Sequence, residues 1–322
     1  MLKRIAIALA FVAAAVWLWN TSWLAPKPHG APRLIAHRGV HQTYNREGLT
    51  NETCTAKRIH PPEHGLIENT LPSMQAAFAA GADIVELDVH PTTDGRFAIM
   101  HDWTLDCRTE GTGRTRDHDM AYLKTVDVGY GYTADGGKSY PLRGRGVGMM
   151  PALHEVMAAM PERRFLVNFK SNETREGDML AALLAAHPEW RQAVWGAYGG
   201  DGPTMRAGEL LPTLKVWTPG RLKQCLLRYV AYGWSGIVPA ACRETVVMVP
   251  INVAPWLWGW PNRFLARMKA AGSEVILLGP YAAGDPGTSG IDDVEMLARI
   301  PEGFDGHVWT NRIELIGPAL GR

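Results

Sequence analysis

With 322 residues, 46% of them hydrophobic and 20% charged, the chain has the composition of an ordinary globular protein, neither disordered nor wholly membrane-embedded. Its 33 basic residues nearly cancel its 32 acidic ones, so no global field favours nucleic acid, and an anionic ligand has to be held by local charges. Length alone leaves one large domain or two ordinary ones open, because barrels of roughly 250 residues form single domains.

At the N-terminus, Lys3 and Arg4 precede an apolar run from Ile5 to Trp19, and Trp17, Trp19 and Trp23 stand where aromatic residues gather at a membrane interface. The run is short for a spanning helix and long for a signal h-region. The A-x-A pattern from Ala13 to Ala15 lies inside the run rather than after it, which favours an uncleaved anchor. Residues 1–25 are therefore expected to be a transmembrane anchor, the alternative being a signal removed on secretion. Basic residues stay cytoplasmic, so residues 26–322 are expected as one domain on the periplasmic or other extracytoplasmic side. Four cysteines without a C-x-x-C spacing suit that oxidising compartment. Cys54 with Cys107 and Cys225 with Cys242 are one of three connectivities.

After a linker from Pro26 to Pro32, short apolar runs alternate with helical patterns, the signature of a parallel α/β fold. Strands are predicted at Leu34–Ala36, Ile84–Val89, Phe165–Phe169, Ala193–Gly196, Thr213–Trp217, Gly236–Val238, Glu274–Leu278 and His307–Trp309. Helices are predicted at Leu71–Ala80, Asp178–Ala186, Arg221–Tyr232, Pro261–Ala271 and Val294–Ile300. Eight strands and an outer helical layer make a (β/α)₈ TIM barrel. One element breaks the alternation: Asp94 and Gly95 separate Ile84–His90 from the extended run Phe97–Met100, a hairpin signal that brings His101 and Asp102 back toward Asp88.

In such a barrel the chemistry lies at the carboxyl ends of the strands. His37 and Arg38 end the first strand, Glu86 and Asp88 share one face of the second, His101 and Asp102 end the hairpin, and Lys170 follows the third barrel strand. Singly, each reads as a hydrogen-bonding or solvated residue; together, they permit phosphodiester hydrolysis. That reaction needs positive charge on the non-bridging oxygens, a base for the nucleophile and an acid for the leaving alkoxide. Oxygen donors such as Glu86 and Asp88 suit Mg²⁺ or Ca²⁺ rather than zinc.

These residues fall in motifs that resemble the glycerophosphodiester phosphodiesterase family over nearly the whole chain beyond the N-terminal segment. Its H-R-G reads His37, Arg38, Gly39; its E-N-T reads Glu68, Asn69, Thr70; its E-x-D reads Glu86, Leu87, Asp88; and its H-D reads His101, Asp102. Gly111 to Gly113, Tyr140 to Gly144, Pro151 to Glu155 and Thr310 to Arg312 resemble later landmarks. The resemblance implies that His37 and His101 are the acid-base pair, that Glu86 and Asp88 bind the metal, and that Arg38 and Lys170 hold the phosphate. It implies further that Glu68 orients this group or binds substrate, and that glycerol phosphate and an alcohol are released.

Two departures from the family pattern stand out. A third acidic ligand is usual in an E-I-K stretch, but this chain reads Asn168, Phe169, Lys170, so the third metal ligand would be a neutral amide oxygen. A long insertion from Val40 to Ile67, with His41, Cys54, His60 and His64, is expected to overhang the pocket as a lid stapled from Cys54 to Cys107. Trp256, Trp258 and Trp260 read first as core, and second as a contact with the bilayer or with an acyl chain. Three functions are carried forward: hydrolysis of soluble glycerophosphodiesters, a lysophospholipase D type reaction on lysophospholipids, and phosphodiester binding without turnover.

Overall fold

Eight parallel strands are hydrogen-bonded in the order β6-β5-β4-β2-β1-β9-β8-β7 in the computed structural model, which describes residues 1–50, 52–284 and 289–322. They are β1 (Arg33–His37), β2 (Ile84–Pro91), β4 (Arg164–Phe169), β5 (Val194–Gly199), β6 (Lys215–Trp217), β7 (Val246–Pro250), β8 (Glu274–Leu278) and β9 (His307–Thr310). The ninth, β3 (Phe97–Ile99), pairs antiparallel with β2 as the expected hairpin. The result is a TIM barrel that is nearly closed. No strand ladder joins β6 to β7 among the described residues; Thr245 Oγ1 donates to the Val216 carbonyl at 3.2 Å and Trp217 Nε1 to Met248 Sδ at 3.2 Å across that seam.

The helices are α1 (Leu2–Asn20), α2 (Leu71–Ala79), α3 (Met120–Leu123), α4 (Leu153–Ala159), α5 (Arg175–Ala186), α6 (Asp201–Leu210), α7 (Pro219–Tyr232), α8 (Asn262–Ala270), α9 (Val294–Leu297) and α10 (Ile313–Ala319). The sequence reading lacked α3, α4, α6 and α10. It also placed a strand at Gly236–Val238. That segment instead follows a 3₁₀ turn, with Gly236 at φ 87° and Pro239 close behind, and the strand is the β-branched, buried run Val246–Pro250. Both disulfides named above form, Cys54–Cys107 and Cys225–Cys242. The second ties α7 to the turn before β7 rather than bracketing a strand.

Strand alternation sorts the core into an inner and an outer layer. Ile35, Ile84, Leu166, Trp217, Ile276 and Trp309 fill the barrel, while Leu34, Ala36, Val85, Leu87, Phe165 and Val167 meet the helices. Period two then carries Ile35 to His37, Ile84 to Glu86 and Asp88, and Leu166 to Asn168 and Lys170 on the inner face. A third cluster packs the insertion residues Tyr44, Leu49, Ala56, Ile59 and Ile67 against Met100, Leu105, Val128, Tyr132 and Leu142. The insertion is thus a packed part of the structure, and its histidines do not converge: His64 bonds Gln42, His60 bonds Thr43, and His41 bonds the Gln42 carbonyl.

At the opposite end of the barrel Glu274 receives His307 Nε2 at 2.6 Å, Arg33 at 3.4 Å and Lys215. Burial opposes its ionisation, yet His307 and Lys215 hold its carboxyl down to about 2 from an ordinary 4.5. A carboxyl depressed on folding stabilises the fold above its unfolded pKa and loses that stabilisation as pH falls through its folded one. Glu274→Gln is therefore expected to unfold at lower urea than the native chain at neutral pH, with the gap closing as pH falls from 4.5 toward 2. A gap that does not vary with pH would contradict this reading.

Candidate active site

The first strand ends in a forced turn. Arg38 lies at φ 58° and Gly39 at φ 79°, and a Cβ on Gly39 would stand 2.2 Å from Ser73 Oγ, so only glycine fits there. The Arg38 N–H donates to the Glu86 carbonyl at 3.0 Å, and the Asn69 N–H, itself on a residue at φ 58°, donates to the Arg38 carbonyl at 3.0 Å. A left-handed non-glycine residue costs about 1–3 kcal/mol, so these two are held by their surroundings. The turn aims the Arg38 side chain inward at Asp88 and Glu68.

Asp88 is fully buried within β2 and is enclosed by donors. Arg38 Nε lies 3.1 Å and Asn69 Nδ2 3.0 Å from Oδ2, and Asn168 Nδ2 lies 2.9 Å and Lys170 Nζ 3.4 Å from Oδ1. Asn168 reaches it because the two residues are register partners on adjacent strands. Burial would raise the Asp88 carboxyl, but Lys170 and Arg38 hold it well below the usual carboxylate range. Glu86, two residues earlier, goes the other way. Burial and the charge of Asp88 push it up to about 8, while Tyr198 OH donates to its Oε1 at 2.8 Å.

Each histidine is held through Nδ1. Asn311 Nδ2 donates to Asp292 at 2.8 Å, which turns the amide oxygen toward His37 Nδ1 at 2.6 Å. His37 Nδ1 is then the donor, and Nε2 carries the lone pair, 3.8 Å from Glu86 Oε2. His101 Nδ1 stands 2.6 Å from Asp102 Oδ1, so its lone pair is also on Nε2. Burial first, and then Arg38, take His37 well below the ordinary imidazole value; burial with Arg38 and Lys170 takes His101 down to about 4. Both rings are neutral in this state.

Arg108 ties the hairpin to the E-N-T segment. Its Nε lies 2.9 Å from Asp102 Oδ2 and its Nη1 3.0 Å from Glu68 Oε2; Nη2 donates to Thr55 at 2.7 Å, and Tyr132 closes its other side. Glu68 in turn meets Arg38 at 3.1 Å. An unbroken chain of charges therefore runs from His101 through Asp102, Arg108, Glu68 and Arg38 to Asp88. Arg108 stands next to Cys107, whose bond to Cys54 holds the insertion carrying Thr55.

All eight residues singled out in the sequence meet here: His37, Arg38, Glu68, Glu86, Asp88, His101, Asn168 and Lys170. Asn168 differs in detail, since its amide nitrogen rather than its oxygen faces Asp88. Sequence reasoning gave no role to Asn69 and Asn311, although both stand inside motifs it quoted, and it passed over Tyr198, Asp292 and Arg108. Tyr198 alone carried a signal, an aromatic at the end of an otherwise apolar strand. Removing the Arg108 guanidinium leaves Glu68 and Asp102 buried without their shared countercharge. Arg108→Leu is expected to destabilise the fold by about 3–5 kcal/mol in denaturant unfolding; a loss under about 1 kcal/mol would show that the chain of charges is not coupled through it.

Residues 37–185 match the model of the Glycerophosphoryl diester phosphodiesterase family. The glycerophosphodiester phosphodiesterase of Bacillus subtilis (strain 168) is 33% identical over 126 residues, 37% of this chain and 42% of that protein. Human glycerophosphodiester phosphodiesterase 1 is 48% identical over 64 residues, 20% of this chain and 19% of its own. The match thus spans less than half the length of these curated relatives. Among solved structures, a glycerophosphodiester phosphodiesterase from Agrobacterium tumefaciens superposes with TM-score 0.58 at 18% identity, over 89% of this chain and 100% of its own. A phosphodiesterase of Oleispira antarctica, solved with the product sn-glycerol-3-phosphate, gives 0.56 at 19% identity, over 90% of this chain and 97% of its own. The match over 37–185 and the four motifs in family order make the chain similar to the glycerophosphodiester phosphodiesterase family, and the solved structures share its barrel fold.

Proposed function

We propose that this chain is a membrane-anchored phosphoric diester hydrolase that cleaves glycerophosphodiesters to glycerol phosphate and an alcohol. The observation that carries the reading is the gathering of His37 and His101, each with its Nδ1 occupied, and of Arg38 and Lys170 around Asp88. Arg38 and Lys170 bind the non-bridging phosphate oxygens. One histidine takes the proton of the nucleophile, water or the neighbouring glycerol hydroxyl, at Nε2. The other, protonated in the complex with the anionic substrate, delivers a proton to the departing alkoxide. Asp102 and Asn311 keep both rings in the tautomer this needs. The Oleispira neighbour with bound sn-glycerol-3-phosphate supports the choice of product.

Glu86, Asp88 and Asn168 are the residues that would hold Mg²⁺ or Ca²⁺. Their donors are hard oxygens, and the raised Glu86 carboxyl marks a buried pair short of positive charge, so the set fits such an ion. Among the described residues no group of three His, Cys, Asp or Glu side chains is arranged for a metal; as third donor the Asn168 amide oxygen would have to turn in place of the nitrogen that now faces Asp88. The bound ion would supply charge that stabilises the transition state at the phosphate oxygens.

Anchorage rests on α1, an apolar helix of 19 residues whose spanning window is wholly unburied, behind Lys3 and Arg4. The two disulfides support a non-cytoplasmic barrel. The exposed Trp256 favours, as a second reading, a lysophospholipase D type reaction on membrane lysophospholipids. The neutral Asn168 favours a phosphodiester-binding protein without turnover as a third.

The test is choline release from glycerophosphocholine and from lysophosphatidylcholine by the full chain in detergent, with Mg²⁺, Ca²⁺ or chelator. Glycerophosphocholine should turn over only with metal, and His37→Ala and His101→Ala should each lower the rate by about 10²–10⁴-fold. Asn168→Glu, which restores a charged donor, should lower the metal concentration needed for half-maximal rate. Turnover in chelator refutes the metal; undiminished histidine variants refute the acid-base pair; release only from the lysolipid selects the second reading, and none from any diester the third.

A further inference from the structure

The foot of α1 is docked on the flank of the barrel. Asn20 Nδ2 donates to the Trp234 carbonyl at 2.7 Å, Arg267 donates to Asn20 Oδ1 at 2.9 Å, and the Asn262 N–H donates to Ser22 at 2.9 Å. The Trp19 ring lies against Gly236, where a Cβ would stand 2.6 Å from its Nε1, and Arg263 stacks over it at 5.8 Å. The helix therefore leaves the barrel from one fixed place. Around that place, two segments expose apolar side chains. Val230, Tyr232, Trp234 and Ile237 lie at and beyond the end of α7, and Trp256 and Trp258 lie beyond β7. They form one surface, since Trp258 Nε1 donates to the Val230 carbonyl at 2.8 Å.

The surface is apolar to an unusual degree. Ile237 is 60% and Trp256 75% exposed, and no charged residue occurs between Arg228 and Arg243 or between Glu244 and Arg263. Folded monomers seldom leave so many large apolar side chains together in water. Tryptophan and tyrosine are the residues enriched at the level of lipid head groups, and the arginines at the edge, Arg228 and Arg263, suit their phosphates.

We propose that this surface rests on the lipid bilayer, so that the barrel lies on the membrane in one orientation instead of swinging on its anchor. The proposal rests on reading α1 as a membrane anchor, and continuity with α1 is what selects a bilayer as the occupant.

The experiment uses the full chain in phosphatidylethanolamine and phosphatidylglycerol vesicles carrying a head-group-level doxyl quencher. All four native cysteines are in disulfides, so a fluorophore goes only to an introduced cysteine. Trp234→Cys, Ile237→Cys and Trp256→Cys test the surface. Gln75→Cys on α2, across the barrel, serves as the exposed control, and Trp17→Cys reports on the anchor. The three surface labels should be quenched at least about twofold more than the Gln75 label. Quenching at Trp17 with the surface labels no different from Gln75 overturns the proposal and leaves the anchor standing. No quenching at Trp17 overturns both. Energy transfer between surface labels on different copies, without lipid quenching, assigns the surface to a second copy of the chain and also overturns the proposal.

Discussion

A carboxylate with no access to water has to be compensated where it stands, and Asp88 sets that requirement for the mouth of this barrel. An unpaired buried charge costs several kcal/mol, more than most single contacts return. Four donors from three segments meet the demand: Arg38 from the turn after the first strand, Asn69 from the E-N-T segment, and Asn168 and Lys170 from the end of the third barrel strand. The left-handed backbone at Arg38 and Asn69 is understood in that light, since a regular backbone would carry neither side chain to Asp88. Arg38 and Lys170 hold Asp88 ionised, whereas burial and the charge of Asp88 itself raise Glu86 against the same two cations.

The rest of the molecule holds this cluster in register. The hairpin returns the chain so that the Met100 N–H meets the Asp88 carbonyl at 3.1 Å, which fixes His101 beside the cluster. The insertion, clasped to the segment after β3 by Cys54–Cys107 and packed on its own apolar core, presents Thr55 to Arg108. Arg108 then passes the constraint to Asp102 and Glu68. On the other side, Asp292 orients Asn311 and through it the ring of His37. The insertion expected as an overhanging lid is in this sense a buttress.

Much of this was legible in the sequence, for identifiable reasons. Glu86 and Asp88 declare their common face through strand period, and Asp94 with Gly95 declares the hairpin, because both signals are local. The barrel followed from alternating elements, and the motif order pointed to the family. What failed was local evidence pointing the wrong way or absent. The segment at Gly236–Val238 is apolar enough for a strand, but its glycine conformation and following proline exclude it, whereas Val246–Pro250 carries the β-branched run. Helix α6 opens on Asp201, Gly202 and Pro203, which read as a turn. Arg108, Asp292 and Tyr198 owe their roles to partners as far away along the chain as Thr55 at 53 residues, Asn311 at 19 and Glu86 at 112, and no local pattern announces such a pairing. The amide orientation of Asn168 is likewise decided by Asp88 across the sheet.

The central claim is that this constellation breaks the phosphorus–oxygen bond on the alcohol side of a glycerophosphodiester. The most direct measurement is ³¹P NMR of glycerophosphocholine incubated with the full chain and Mg²⁺ in ¹⁸O-enriched water. The account predicts a growing glycerol phosphate resonance displaced by the isotope shift of oxygen newly bonded to phosphorus, with free choline as the other product. Phosphocholine as the phosphorus product, or an unchanged diester in the presence of folded protein that binds it, would contradict the account.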